Sequence, residues 1–274
     1  IKKKLIKKIP SLNKNRECYI YVIDNCKKFD RINYLKRRKD VSLIKKDVCK
    51  INELNLNVDY IIHGASIASP TYYRIHPLET LDANIMGTRS ILEIAKKKKI
   101  ISMIYMSSSE VYGNPNKKNI PTKEDYNGNV SFTGPRACYD ESKRVGETIC
   151  NIYSRKYKLP IKIIRPFNVY GPNQSIEDKR IIPDLLKSAL KEKKIELYSN
   201  GKDTRSFCYV SDAESLILKI LLNNKIKEMA FNVGNDKKEI SITNLAKLFM
   251  KLTNNVLKKK MIIIYKKSKD KDYL

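Results

Sequence analysis

Short apolar runs recur along the chain at Cys18–Ile23, Val41–Lys45, Val58–His63, Ile104–Met106, Ile161–Pro166 and Ala230–Val233. β-Branched and aromatic residues fill them, and Asp, Asn, Ser or Gly soon follows, as expected of strands running into turns. Between them the apolar spacing lengthens to three and four. Pro77–Lys98 carries Leu81, Ile85, Thr88, Leu92 and Ala95 on one helical stripe, and residues 140–157 carry Val145, Ile149, Ile152 and Tyr157 on another. Strand and helix alternate up to about Gly171, which predicts an α/β doubly wound parallel sheet over residues 1–170. From there the alternation loosens. Ile181–Lys193, Val210–Asn223 and Ile242–Leu252 read as helices and Ile195–Tyr198 as a strand, so residues 171–274 form mainly a smaller lobe. Lys2–Ile9 reads as the tail of a basic helix before a Pro-Ser-Leu-Asn turn. Gly113–Pro135 is a loop longer than ordinary connections, which marks it as functional.

Within this frame Tyr139 and Lys143 lie four apart, on one helical face. A tyrosine with its ordinary pKa of ~10 needs a shift of ~3 units, roughly 4 kcal/mol, to serve as a base near pH 7. A cation ~4 Å away at an effective dielectric of ~20 supplies about that amount. With Lys143 as the cation, Tyr139 can take a proton from a hydroxyl while hydride leaves the same carbon. Such a pair is common by chance in a lysine-rich chain, and its surroundings narrow the reading. Upstream, a strand opens into Ser107-Ser108-Ser109-Glu110. Downstream, Ile161–Pro166 runs into Phe167-Asn168-Val169-Tyr170-Gly171-Pro172.

That order resembles the extended short-chain dehydrogenase/reductase family, the NAD-dependent nucleotide-sugar enzymes, from about residue 19 to the end. Within it the nearest resemblance is to UDP-glucuronate decarboxylases. It rests on His63-Gly64-Ala65-Ser66-Ile67-Ala68-Ser69-Pro70, Asn84-Ile85-Met86-Gly87-Thr88, Ser109-Glu110-Val111-Tyr112-Gly113, Arg136–Arg144 and Gly201–Phe207. The resemblance implies a Rossmann-like fold with a C-terminal substrate lobe, NAD as cofactor, and conversion of UDP-glucuronate to UDP-xylose and CO₂ through a 4-keto sugar.

For the chemistry it implies Tyr139 and Lys143 as base and cation, Ser108 as the hydroxyl bonding the reacting oxygen, and Glu110 as acid/base near C5 and C6. For the cofactor it implies Asp24 and Asn25 at the adenosine ribose, Asp47 and Val48 at the adenine, and Ala65, Ser66 and Ala68 beneath the dinucleotide. Asn84 steadies the active-site backbone, and Ser107 completes the cofactor side. For the substrate it implies Ser109, Arg136, Asn168, Arg180, Tyr198 and Arg205, the last pairing with the diphosphate as a bidentate guanidinium can. An acidic residue ending such a strand disfavours a 2′-phosphate, so Asp24 selects NAD over NADP; a plain strand-ending Asx turn is the local alternative.

4,6-Dehydratases of this family carry Asp-Glu where this chain has Ser109-Glu110, and simple 4-epimerases usually lack the glutamate. The pair therefore favours decarboxylation over both. The helices at 78–96 and 140–157 resemble the pair through which these enzymes form homodimers, with a core-facing stripe as the rival reading. Residues 1–63 contain no glycine, whereas the family's Gly-rich phosphate turn belongs fifteen to twenty residues before Asp24. The expectation is an N-terminal fragment, unfinished also at Lys266–Leu274. An inactive remnant or a basic binding protein is the non-enzyme alternative.

The net charge of +27 comes from lysines scattered along every segment, which reads as compositional bias rather than as a nucleic-acid surface. No run approaches the ~20 apolar residues of a membrane span. The cysteines Cys18, Cys26, Cys49, Cys138, Cys150 and Cys208 show no metal spacing and, with only two histidines, predict reduced thiols in a cytoplasmic protein without a metal site.

Overall fold

The computed structural model describes residues 18–26, 30–191, 194–197, 200–258 and 261–266. The expected basic helix at Lys2–Ile9 with its turn, Tyr198, and the charged end beyond residue 266 lie outside them. The first half builds β1 (Ile20–Asp24), β2 (Val41–Lys45), β3 (Tyr60–His63), α1 (Pro70–Ile75), α2 (Pro77–Lys98), β4 (Ser102–Met106), α3 (Ala137–Tyr157) and β5 (Ile161–Pro166). The second half adds β6 (Val169–Tyr170), α4 (Ile181–Lys191), β7 (Lys194–Leu197), β8 (Thr204–Ser206), β9 (Cys208–Tyr209), α5 (Val210–Leu221), β10 (Ala230–Val233), β11 (Glu239–Ser241), α6 (Ile242–Leu257) and β12 (Ile262–Tyr265).

Parallel strands in the order β10–β5–β4–β3 form the central sheet, and β1 with β2 forms a second parallel pair. This is the Rossmann-like α/β arrangement that the alternating pattern predicts. The central strands read as unbroken apolar runs because both faces are covered. Met103, Tyr105, Ile161 and Ile163 turn to α2 and α3, whereas Ile104 and Ile164 turn to α5. Gly146 makes the first of these contacts close, since a Cβ there would overlap the Tyr105 hydroxyl.

α3 begins at Ala137, so the Tyr139–Lys143 spacing is helical throughout. Of its predicted stripe, Val145, Ile152 and Tyr157 face outward and Ile149 packs against the core, while Tyr139, Ser142, Lys143, Gly146, Cys150 and Tyr153 face inward. The buried face of α3 thus combines the small and polar Ser142, Lys143 and Gly146 with Cys150 and Tyr153 of the core. In α2 the predicted stripe does meet the core, at Thr88, Leu92 and Ala95.

Residues beyond Gly171 serve two bodies. α5 and β10 complete the central sheet, while α4, β7, β12 and α6 enclose a core of their own around Leu185, Ile195, Leu197, Leu245 and Ala246. β8 with β11 and β6 with β9 are short pairs between these elements in sequence.

Candidate active site

The strands β3, β4 and β5 are parallel, so the residues that follow them gather at one edge of the sheet. There the Gly64–Ser69 turn, Ser107–Glu110 and the first turns of α3 converge. Ser108 is extended and caps the turn of 3-10 helix at Ser109–Tyr112, its hydroxyl accepting from the Glu110 N–H at 3.2 Å. The same hydroxyl lies against the Tyr139 phenol. Glu110 is ion-paired with Arg136, whose Nε also stands 3.6 Å from Asp140 Oδ2.

Behind this corner Asn84 Nδ2 donates to Ser142 Oγ at 2.9 Å, and Ser142 Oγ donates to the Tyr139 carbonyl at 3.0 Å. Asn84 therefore fixes the backbone that carries the tyrosine. Thr88 spends its proton on the Asn84 carbonyl at 2.5 Å, so His63 must donate from Nε2 to the Thr88 hydroxyl at 3.0 Å. Burial depresses the His63 pKa to about 3. It is a packed, neutral strand-end histidine.

Lys143 changes the electrostatic expectation. Its ammonium is buried and donates to the Met106 carbonyl at 2.8 Å, 5.8 Å from the centre of the Tyr139 ring. Burial depresses its own pKa to about 7. Burial also raises the Tyr139 phenol, and the Ser108 hydroxyl opposes that more strongly than the Arg180 or Arg136 cation does. The lysine draws toward the last β4 carbonyl rather than the phenolic oxygen, so Lys143 does not hold Tyr139 at low pKa in this state.

Arg180 reaches the corner through contacts between loops. Ser69 Oγ donates to the Asp178 carbonyl at 2.6 Å and Tyr72 OH to the Glu177 carbonyl at 2.9 Å, while Arg180 pairs with Asp178. Other predicted residues make their contacts elsewhere. Asp24 Oδ1 accepts from the Cys26 N–H at 2.8 Å, the local Asx turn, with exposed Asn25 inside it. Asp47 caps its turn of 3-10 helix by accepting from the Cys49 N–H at 2.8 Å. Val48 packs against Gly87 of α2. Asn168, at φ +37°, donates to the Ser206 carbonyl at 3.1 Å, and the exposed Arg205 donates to the Thr204 carbonyl at 2.7 Å.

Two functional neighbours escape the sequence reading. Glu147, one turn beyond Lys143, accepts from Ser107 Oγ at 2.5 Å and takes Arg165 in a fork at 2.9 and 2.6 Å. Tyr73 is buried against Tyr139. The available signals were a charge ending the apolar run Ile161–Pro166 and a carboxylate at helical spacing from Lys143.

Residues 12–234 match the model of the NAD dependent epimerase/dehydratase family. The chain belongs to that family. It is 37% identical over 220 residues to UDP-glucuronic acid decarboxylase 3 of Arabidopsis thaliana, an alignment covering 80% of this chain and 62% of that protein. It is 36% identical over 217 residues to UDP-glucuronic acid decarboxylase 1 of Xenopus tropicalis, covering 79% of this chain and 50% of that one. The chain thus spans about half to three fifths of these relatives. Among solved structures it is similar to UDP-glucuronic acid 4-epimerase from Bacillus cereus, determined with UDP-glucuronic acid and NAD, at 25% identity and TM-score 0.72, with 91% of this chain and 78% of that chain covered.

The family's dinucleotide fits what the sheet edge presents. Ser66 Oγ and Asn84 Oδ1 are buried without a partner, and the small residues of Gly64-Ala65-Ser66 let a ligand come close to the backbone. Among the described residues no three His, Cys, Asp or Glu side chains cluster to hold a metal, and no helix is long and apolar enough to cross a membrane.

Proposed function

We propose that this chain carries the active site of an NAD-dependent UDP-glucuronate decarboxylase. The observation that carries the reading is the corner itself: a buried tyrosine, a serine hydroxyl against its phenol, a buried lysine behind it and a glutamate beside it. The curated relatives supply the choice of reaction.

NAD, when bound, accepts the C4 hydride and later returns it. Tyr139 takes the proton of the 4-hydroxyl, with Ser108 orienting that oxygen. The resulting 4-keto group is β to the C6 carboxylate, so CO₂ leaves with the C5–C6 electrons delocalised into an enolate. Glu110, held by Arg136, manages the proton at C5. Lys143, Asn84, Ser107, Ala65, Ser66 and Ala68 hold the cofactor near the reacting carbon, with Asp24, Asn25, Asp47 and Val48 toward its adenosine end. Ser109, Arg136, Asn168, Arg180, Tyr198 and Arg205 hold the nucleotide-sugar.

Ser109-Glu110 supports decarboxylation over dehydration, since a second acid there would repel the substrate's own carboxylate. The similar 4-epimerase structure with UDP-glucuronic acid supports a second reading, inversion at C4 of the same substrate. Incubating the protein with UDP-glucuronate and NAD separates them. CO₂ and a UDP-pentose, with no net NADH, are expected, and a UDP-hexuronate epimer without gas release would overturn the decarboxylase assignment.

The outward stripe of α3 at Val145, Ile152 and Tyr157, together with Leu78 and Met86 of α2, supports homodimerisation through these helices. Six free thiols support a reducing, cytoplasmic setting. The scattered lysines give no reason to assign a nucleic-acid partner.

A further inference from the structure

We propose that Glu147, one helical turn from Lys143, is a positioning residue that fixes Ser107 and favours the charged form of Lys143, and that ties Ser107, through Arg165, to the long loop at 113–135. The inference deepens the proposed function and rests on it for the identity of the reaction, but not for the device itself.

Glu147 and Arg165 are a largely enclosed pair, their side chains 13% and 12% exposed. One carboxylate oxygen is shared by the Ser107 hydroxyl at 2.5 Å and Arg165 Nε at 2.9 Å, and the other takes Arg165 Nη2 at 2.6 Å. An enclosed carboxylate with a bidentate guanidinium and a hydroxyl has little freedom to move. Ser107 adjoins Ser108, so the hydroxyl facing Tyr139 is placed from behind by this pair.

Arg165 carries the connection outward. Its Nη1 donates to the Glu124 carbonyl at 2.8 Å and to Tyr112 OH at 2.7 Å, and Tyr112 in turn donates to Asn232 Oδ1 at 2.8 Å. Asn232 binds the same loop, its backbone N–H donating to Glu124 Oε1 at 2.9 Å and its Nδ2 to the Thr122 carbonyl at 2.8 Å. The loop therefore closes onto the groups that hold Glu147.

Facing Lys143 are His63 from β3, Tyr105 from β4, and Tyr139, Glu147 and Cys150 from α3, with Arg165 of β5 behind Glu147. Burial keeps His63 neutral and pushes both Tyr105 and Cys150 upward, so these remain uncharged at neutral pH. Burial pushes Lys143 down to about 7, opposed by Cys150 and Glu147; with Cys150 uncharged, the Glu147 carboxylate, itself paired with Arg165, is the remaining anion.

The test follows the Lys143 side chain by NMR across a pH titration, its signal assigned by loss in Lys143→Arg. In Glu147→Gln the midpoint should fall by about one unit, while Glu141→Gln, altering a carboxylate paired with Arg144, should leave it in place. If Glu147→Gln does not fold, Glu147→Asp, which keeps the charge and shortens its reach, is titrated instead, and its Lys143 midpoint should fall by a smaller amount. An unmoved midpoint overturns the proposal. The loop connection is read by hydrogen exchange, where Glu147→Gln should raise exchange at least about tenfold at residues 122–126, and unchanged protection there overturns that part. CO₂ release by the wild type is scored separately, so failure of the decarboxylase reading cannot be mistaken for failure of this one.

Discussion

Tyr73 lies flat against Tyr139, with ring centroids 5.0 Å apart and planes 8° from parallel. Both rings are buried, and Asn84 and Ser142 fix the backbone behind the second. The phenol therefore keeps its place without help from its own oxygen. Tyr139→Phe should retain the stack, the fold and UDP-sugar binding while lowering turnover at least about a hundredfold, the scale of a lost general base. Calorimetry with the sugar nucleotide and a CO₂ assay would check the two halves. Ordinary turnover in this variant would remove the central assignment.

His63 gives the protein an acid limit. In the folded state it takes up a proton only near pH 3, whereas an unfolded histidine does so near 6.5. Its stabilising contribution is complete above about 6.5 and is lost as the pH falls toward 3. Urea unfolding at pH 7 and pH 4.5 should show His63→Gln losing less stability between the two than the wild type, by about 2 kcal/mol.

Asp140 acts in the opposite direction. Burial raises its carboxyl to about 6, and one of its oxygens has no partner. Below the ordinary value of 3.8 both folded and unfolded chains hold the proton. Between there and about 6 the folded chain binds more of it, so stability is lost as the pH rises through that window. Asp140→Asn should raise the unfolding free energy by about 1–2 kcal/mol at pH 8 and change little at pH 3.5.

The outward face of α3 has a measurable consequence for assembly. Ile152 is 53% exposed at the middle of its apolar stripe. Ile152→Glu should shift a dimer toward monomer in sedimentation while leaving the thermal unfolding of the monomer nearly unchanged. A wild type that sediments as a monomer at tens of micromolar would remove the dimer assignment.

Periodicity located the central strands and the two long helices because both faces of the sheet are covered and α2 buries its apolar stripe. For α3 it left two readings open, a dimer face or a core-facing stripe, and the fold divides that stripe: Val145, Ile152 and Tyr157 face outward, while Ile149 packs against the core beside Cys150 and Tyr153. Tyr139 and Lys143 stand out by their helical spacing, whereas Ser108 and Glu110 were named through the order of motifs that resembles the family. Glu147 with Arg165 and Tyr73 with Tyr139 were not legible, since each pair joins elements whose proximity only the folded sheet creates.

Tyr112 and Asn232 meet across 120 positions, and Ser69 meets Asp178 across 109. Bringing such distant segments together carries a loop-closure entropy that local helices never face. The order of assembly follows: α2 and α3 can pack on β4 and β5 early, but the reactive corner acquires its final shape only when β10 joins the sheet. During synthesis a chain released up to Gly171 holds every residue assigned to proton transfer and still lacks the strand whose Asn232 binds the loop at Thr122 and Glu124. Pulse-labelled hydrogen exchange during refolding should therefore show amides at 122–126 becoming protected together with those of Ala230–Val233, after α2 and α3 are already formed.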